Sequence, residues 1–446
     1  MSGDSRSAAP AGRRGIGLAG AIAIGIGGMV GGGIFAVLGE AVSLAHGATG
    51  VAFLVAGVIA LLTASSYARL SVTFPSQGGT VTFIDHAFGR DLVTGTINLI
   101  LWLSYLVTLS LYAVAFGSYA LTFFPGDHGP WLRHLLISVA IIVPIIINLF
   151  NAEVVSRSET LIVIIKLLML LVVIVSGVPY VDTARLNPDH WGTPFSIVSA
   201  GMVIFVAYEG FELIANSAQE IRDPGRNLPR AFYLSVLLVI LLYVLIALVT
   251  VGTVPESRIA AARDYALAEA ARPALGSAGF TLVAVSALLA TFSAINATIY
   301  GNARLGYTLA MEGELPDILE HRAWNEPVWG VLVSGGLALV MANLIDLNAI
   351  AIIGSASFLL VFAVTNLAAA RLAERTGGRR SLAMAACLAC LAALAVLLTQ
   401  TWHDSPHALW VFVSFIAAAL VFELTYGRFL RKPFTLARGR RNEEAE

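Results

Sequence analysis

Charge is what this chain most lacks. Only 12% of its 446 residues are Asp, Glu, Lys or Arg, against 58% apolar, where a soluble domain carries about 25% charged residues. Mean hydropathy is +0.82. That balance excludes an ordinary soluble domain and predicts a polytopic helical membrane protein. The formal net charge of −1 supplies no basic field and implies no nucleic-acid partner. Cysteine is nearly missing. Cys387 and Cys390 stand inside the apolar run SLAMAACLACLAALAVLL, with none of the flanking ligands or loop that redox or zinc chemistry needs. They read as packing residues. No HExxH, GxSxG or His-rich cluster supports an enzyme, and no metal or cofactor is implied. A channel would want a filter repeat or rings of charge, and neither is evident.

Lysine is the scarcest charge, with two in the whole chain. One of them, Lys166, sits midway along SRSETLIVIIKLLMLLVVIVSG. With about ten residues on each side and about 1.5 Å rise per residue, its Cα lies about 15 Å from either end of that run. A lysine stem snorkels near a helix end but not over that distance. A charge at bilayer depth costs at least about 2.5–3.5 kcal/mol on insertion scales. Lys166 is therefore either paired for helix packing or faces a polar cavity and works there.

Apolar runs of spanning length fall near residues 16–44, 50–71, 92–123, 132–150, 157–178, 195–216, 230–252, 276–309, 327–345, 348–370, 381–400 and 407–428, which predicts twelve membrane spans. The run after Arg13 and Arg14 is too long for a signal-peptide core and reads as a retained first span. Residues 1–15 and 431–446 then form tails around a transmembrane domain at 16–430. With both tails inside, the inner side takes nearly all the arginines, from Arg6, Arg13 and Arg14 through Arg69, Arg157, Arg226, Arg304, Arg322 and Arg379 to the basic tail. The outer side takes only Arg133, Arg185, Arg258, Arg263 and Arg272. This asymmetry predicts a multi-pass protein of the cell inner (plasma) membrane with both termini cytoplasmic. The longest outer connection, 253–275, mixes charges with Ala at helical spacing and predicts an interfacial helix.

Two spans carry interruptions at matching places. In the first, GIGGMVGGGIF packs Gly25, Gly27, Gly28, Gly31, Gly32 and Gly33 together. Each glycine costs about 1 kcal/mol relative to Ala in a helix. Three in succession predict local unwinding rather than the one-face spacing of a close helix crossing. In the sixth, FVAYEGFELIAN sets Glu209, Gly210 and Glu212 at a comparable depth. Glu212 either lines a cavity or braces the unwound loop. Interrupted helices five spans apart point to an inverted-repeat transporter with its site at mid-membrane. The repeats would span about 16–178 and 195–370, with extra helices at 381–428. Unwinding frees N–H groups at one half-helix and carbonyls at the other, which suit a carboxylate and an ammonium. A free α-amino acid carries both on one carbon.

At these residues the chain resembles the amino acid–polyamine–organocation (APC) superfamily of secondary transporters. VGGGIF resembles its first-helix motif, FPSQGGTVTF its segment after the second helix, and FVAYEGFELIANSAQEIRDPGRNLPRA its sixth helix and following loop. INATIYGNARLGYTLAMEGELP resembles the end of its eighth helix. The nearest likeness is to prokaryotic proton-coupled, broad-specificity amino-acid permeases, whose fifth helix carries a lysine in a context like IIKLLML. The resemblance implies an all-α, LeuT-like 5+5 inverted-repeat fold with two further C-terminal helices, and import of amino acids with protons. An exchanger of amino acids or polyamines on the same fold is the alternative, and a non-transporting nutrient sensor a weaker one. Carried over residue by residue, the glycine bend Gly31, Gly32 and Gly33 would hold the substrate carboxylate. Met29, Val206 and Glu209 would offer carbonyls to the amino group, and Phe205 and Tyr208 would be aromatic walls. Lys166, with Gly27 and Gly28, would couple protons. Thr291, Ser293 and Asn296 either line the cavity or bond between helices. Thr80 and Thr82 depart from the family's aromatic pattern. Glu209 stands where the family usually has an apolar residue, which leaves the substrate's charge open.

Overall fold

The structure, a computed structural model, describes residues 15–126, 128–150, 152–320 and 328–429. The expected tails (residue 15 apart) and the loop with Arg322 lie outside the described residues. The side chain of Arg157 does too.

The described residues are mostly helical. In order come α1 (Leu18–Met29), α2 (Gly33–Ala45), α3 (Thr49–Thr73), α4 (Thr80–Phe88), α5 (Leu92–Leu121), α6 (Gly129–Phe150), α7 (Ala152–Gly177), α8 (Pro194–Val203), α9 (Leu213–Asn216) and α10 (Pro224–Thr253). Then follow α11 (Glu256–Ala261), α12 (Ala266–Met311), α13 (Val328–Leu344), α14 (Leu347–Arg371), α15 (Ala373–Thr376), α16 (Arg380–Asp404) and α17 (Pro406–Phe429). Among the described residues ten segments are long and apolar enough to cross a membrane, and α1 with α2, bent by 51°, makes an eleventh. The twelfth expected span is the shorter apolar helix α13 of 17 residues, about 26 Å long at 1.5 Å per residue. The expected twelve are therefore all helices.

Successive spans alternate in direction between an end whose loops hold most arginines, called the basic end below, and an opposite end. The segment entering α1 is fastened at the basic end. The Ile16 N–H donates to the Glu220 carbonyl at 2.8 Å, and the Arg222 N–H donates to the Ile16 carbonyl at 2.9 Å. The loop after the sixth span is thus clasped to residues 15–16 at Glu220–Arg222, where the Arg222 side chain also donates to the Gly15 carbonyl. Asp223, with φ of 48°, instead offers its carbonyl to the first turn of α10 through Arg226 and Asn227. At the opposite end, the expected interfacial helix is divided into α11, a short turn at Arg263–Tyr265 and the start of α12. That start ends at Gly276, where φ of 62° breaks the helix.

Helix α5 is buried nearly all round, whereas α6, α7, α16 and α17 show one apolar face outward. This is the pattern of a core helix ringed by lipid-facing ones. Cys387 and Cys390 are free and buried, and the Cys390 sulfur lies 3.5 Å from the Thr63 hydroxyl. Both pack.

Candidate functional site

Both interrupted spans are broken where glycine crosses glycine. Helix α1 ends at Met29 and α2 begins at Gly33, so Val30, Gly31 and Gly32 are non-helical. In the sixth span, α8 passes into a 3-10 turn at Ile204–Tyr208. Glu209 is then extended, and Gly210 takes φ of 117°. A Cβ on Gly28 would lie 2.6 Å from the Gly210 carbonyl oxygen, and one on Gly210 would lie 2.4 Å from the Gly28 carbonyl carbon. No side chain fits between the two segments, and the φ at Gly210 excludes one independently. Glu212 braces the loop. One of its oxygens accepts the Gly210 N–H at 2.8 Å and the other accepts the Tyr105 hydroxyl at 3.1 Å. Behind it, Tyr67 and Phe211 meet edge to face at 5.5 Å, with Phe362 against both.

A cavity opens beside this crossing. Its lining includes Gly27, Gly28, Lys166, Glu209, Gly210 and Ser293, together with Tyr105 and Tyr112 of α5 and Asn216 of α9. From there it follows one face of α12 past Ala294, Ala297, Thr298, Gly301, Asn302 and Leu305. The spacing of three and four keeps these on one stripe, and the stripe leads toward the basic end. Lys166 is 4% exposed, and its ammonium donates to the Gly27 carbonyl at 3.0 Å. A Cβ on Gly27 would lie 3.1 Å from a Val163 methyl, so the glycine lets α1 approach α7 closely enough for that bond. Glu209 is also 4% exposed, with Thr108, Tyr112 and Glu212 as polar neighbours, and its Oε2 has no hydrogen-bond partner.

Other expected site residues lie outside the cavity lining in this conformation. The Met29 carbonyl accepts the Tyr243 hydroxyl at 2.7 Å. The Val206 carbonyl accepts the Glu209 N–H at 3.3 Å. Phe205 is buried against Phe362, and the Tyr208 hydroxyl donates to the Phe53 carbonyl at 2.8 Å. Gly31, Gly32 and Gly33 keep their N–H groups without an acceptor among the described residues. The Tyr112 ring lies over them, since a Cβ on Gly32 would sit 2.4 Å from its Cδ1. Thr291 bonds back to its own helix, and the Asn296 Oδ1 accepts from Asn148 at 2.6 Å. Of the three residues expected from α12, Ser293 lines the cavity. Sequence reasoning did not single out Tyr105, Tyr112 or Asn216. The signal for the first two was present, because Tyr105, Thr108 and Tyr112 form a polar stripe on an otherwise apolar helix.

At the opposite end the way in is covered. The loop before α12 lies on α2, where the Glu40 carboxylate pairs with Arg263. Asp264 accepts from Ser118 at 3.1 Å and pairs with Arg133 at 3.4 Å.

Broken helices crossing at mid-height, over a polar cavity inside an apolar bundle, define a membrane permease rather than a pore. Residues 20–443 match the family model for amino acid permeases, and the chain belongs to that family. It is 32% identical over 389 residues to the inner membrane transport protein YbaT of Escherichia coli, covering 86% of this chain and 89% of that one. It is 31% identical over 387 residues to an uncharacterized protein of Methanocaldococcus jannaschii, covering 86% and 88%. The branched-chain amino acid permease BcaP of Bacillus subtilis is 26% identical over 356 residues, 74% of each chain. The protein is a multi-pass membrane protein of amino-acid transport with a LeuT-like fold.

Proposed function

We propose that this permease imports amino acids by proton symport through alternating access, with Lys166 as the proton carrier. The observation that carries the reading is the bond from the buried Lys166 ammonium to the Gly27 carbonyl, at 3.0 Å, inside the central cavity. A charge-assisted hydrogen bond is roughly twice as strong as a neutral one. Protonation of Lys166 therefore tightens the hold of α7 on the last turn of α1, and loss of the proton loosens it. The broken half-helix is the element that must move for the site to change sides. Proton loading and helix position are thus linked through one contact.

In this reading the N–H groups at Gly32 and Gly33, open at the N-terminus of α2, receive the substrate carboxylate once the Tyr112 ring swings aside. The basic end is cytoplasmic, by the arginine asymmetry, so the cavity is open inward and covered outward. Both termini are then cytoplasmic, and the membrane is the cell's inner (plasma) membrane.

The deciding experiment uses the purified chain in proteoliposomes, with radiolabelled alanine outside and an imposed pH gradient, acid outside. Symport predicts accumulation driven by the gradient in empty vesicles and abolished by a protonophore. Uptake that instead requires internal amino acid and ignores the gradient would establish exchange and remove the proton from the cycle.

A further inference from the structure

A second cavity lies at the basic end, apart from the transport path, between α3, α10 and the start of α16. It is lined by Ser66, Arg69, Tyr233, Thr376, Gly378 and Arg379, among others, and no carboxylate is among its lining residues. Helix α3 sets Ser66 and Arg69 three residues apart on one face. Gly377, with φ of 63°, ends α15 and turns the chain back. Gly378 then lies against the Arg69 stem, where a Cβ would be 3.9 Å from the Arg69 Cγ. The same turn delivers Arg379 to the N-cap of α16, a helix of 25 residues whose N-terminus no side chain caps.

The charged groups of the lining, Arg69 and Arg379, are donors only. Among the described residues neither Arg69 nor Arg379 has an ion pair. Ser66, on the wall of the cavity, is 3% exposed. Two guanidinium groups and an uncapped helix N-terminus together fit an oxyanion with several acceptor oxygens. A phosphate has that geometry.

The position decides its source. Arg69 lies one turn before the end of α3, and Arg379 at the beginning of α16. Both therefore sit at headgroup depth. Tyr233 is 36% exposed and Leu382, another lining residue, 40%, giving the cavity an apolar margin toward the lipid. Tyrosine at such a margin suits the membrane interface, and basic pockets between transmembrane helices hold anionic headgroups. We propose that this cavity binds the phosphate of an anionic phospholipid, with the acyl chains lying along the Tyr233 and Leu382 margin. The site is independent of how transport is coupled.

The test is native mass spectrometry of the full chain in mild detergent, titrated with dioleoyl phosphatidylglycerol, with dioleoyl phosphatidylcholine, and with phosphatidylglycerol in the presence of millimolar inorganic phosphate. The wild type should retain phosphatidylglycerol in preference to phosphatidylcholine. The double variant Arg69→Gln, Arg379→Gln should bind it about tenfold more weakly. Arg258→Gln, at the opposite end, should bind it like the wild type. Monodisperse elution shows that each variant is folded. Equal phosphatidylglycerol retention by the wild type and the double variant would overturn the site. Displacement of the lipid by inorganic phosphate, dependent on the same arginines, would overturn the lipid as its source and assign a free anion.

Discussion

Lys166 owes its chemistry to a glycine on another helix. A Cβ on Gly27 would lie 3.1 Å from a Val163 methyl, so a side chain there would crowd the close approach of α1 to α7 across which the ammonium bonds the Gly27 carbonyl. Lys166→Ala should therefore abolish gradient-driven alanine accumulation while leaving facilitated equilibration. Concentrative uptake at the wild-type level in that variant would remove the coupling role. Gly32→Leu places side-chain carbon 2.4 Å from the Tyr112 ring and should lose binding of all α-amino acids alike. Competition assays with decarboxylated amines check the carboxylate contact in the wild type, where amines should compete poorly. Glu209 needs its own test. A buried carboxylate whose Oε2 has no partner is costly unless a cation or proton reaches it. Glu209→Gln should lower arginine uptake about tenfold and leave alanine uptake within about twofold. A pH profile shifted equally for both substrates would assign Glu209 to proton handling instead.

At the scale of elements, the loop between α10 and α12 is a strap over the approach from the end opposite the basic one. It is held by the Glu40–Arg263 pair and by Asp264 with Ser118 and Arg133. The strap is backbone-tight, since a Cβ on Gly39 would lie 2.1 Å from the Arg263 carbonyl oxygen. Exposed pairs are worth about 0–1 kcal/mol, but Glu40 is only 9% exposed, and removing its partner leaves a buried charge. Arg263→Gln should move the resting population toward the state open at this end. A single cysteine placed at Ala36, beside the strap, would then react faster with a membrane-impermeant maleimide. An unchanged labelling rate would show that the strap does not govern opening. The crossing of α1 with the sixth span is less forgiving. Gly28→Ala must displace Gly210 backbone, and overpacking of this kind costs about 1–3 kcal/mol, readable as a lower melting temperature in detergent.

For the molecule as a whole, the order of the spans and eleven of the expected twelve followed from hydropathy, because a bilayer demands about 20 apolar residues per crossing whatever the neighbours are, and α13 is the shorter apolar helix that falls below that length. The breaks were legible too. Consecutive glycines at 31–33 and the acid–glycine pair at 209–210 each defeat a helix locally, so their location needs no tertiary information. Lys166 could be singled out because its depth in a run is a count along the sequence. Tertiary structure decided what each of these groups faces. That Tyr208 turns to Phe53 while Tyr112 covers the glycine bend, and that Glu212 braces where Glu209 stays open, depends on helix rotation and on partners 100 or more residues away, such as Tyr105 for Glu212 with a separation of 107. Nearly every helix here is apolar around much of its circumference, so no periodicity in the sequence records which stripe turns inward. Only packing sets it.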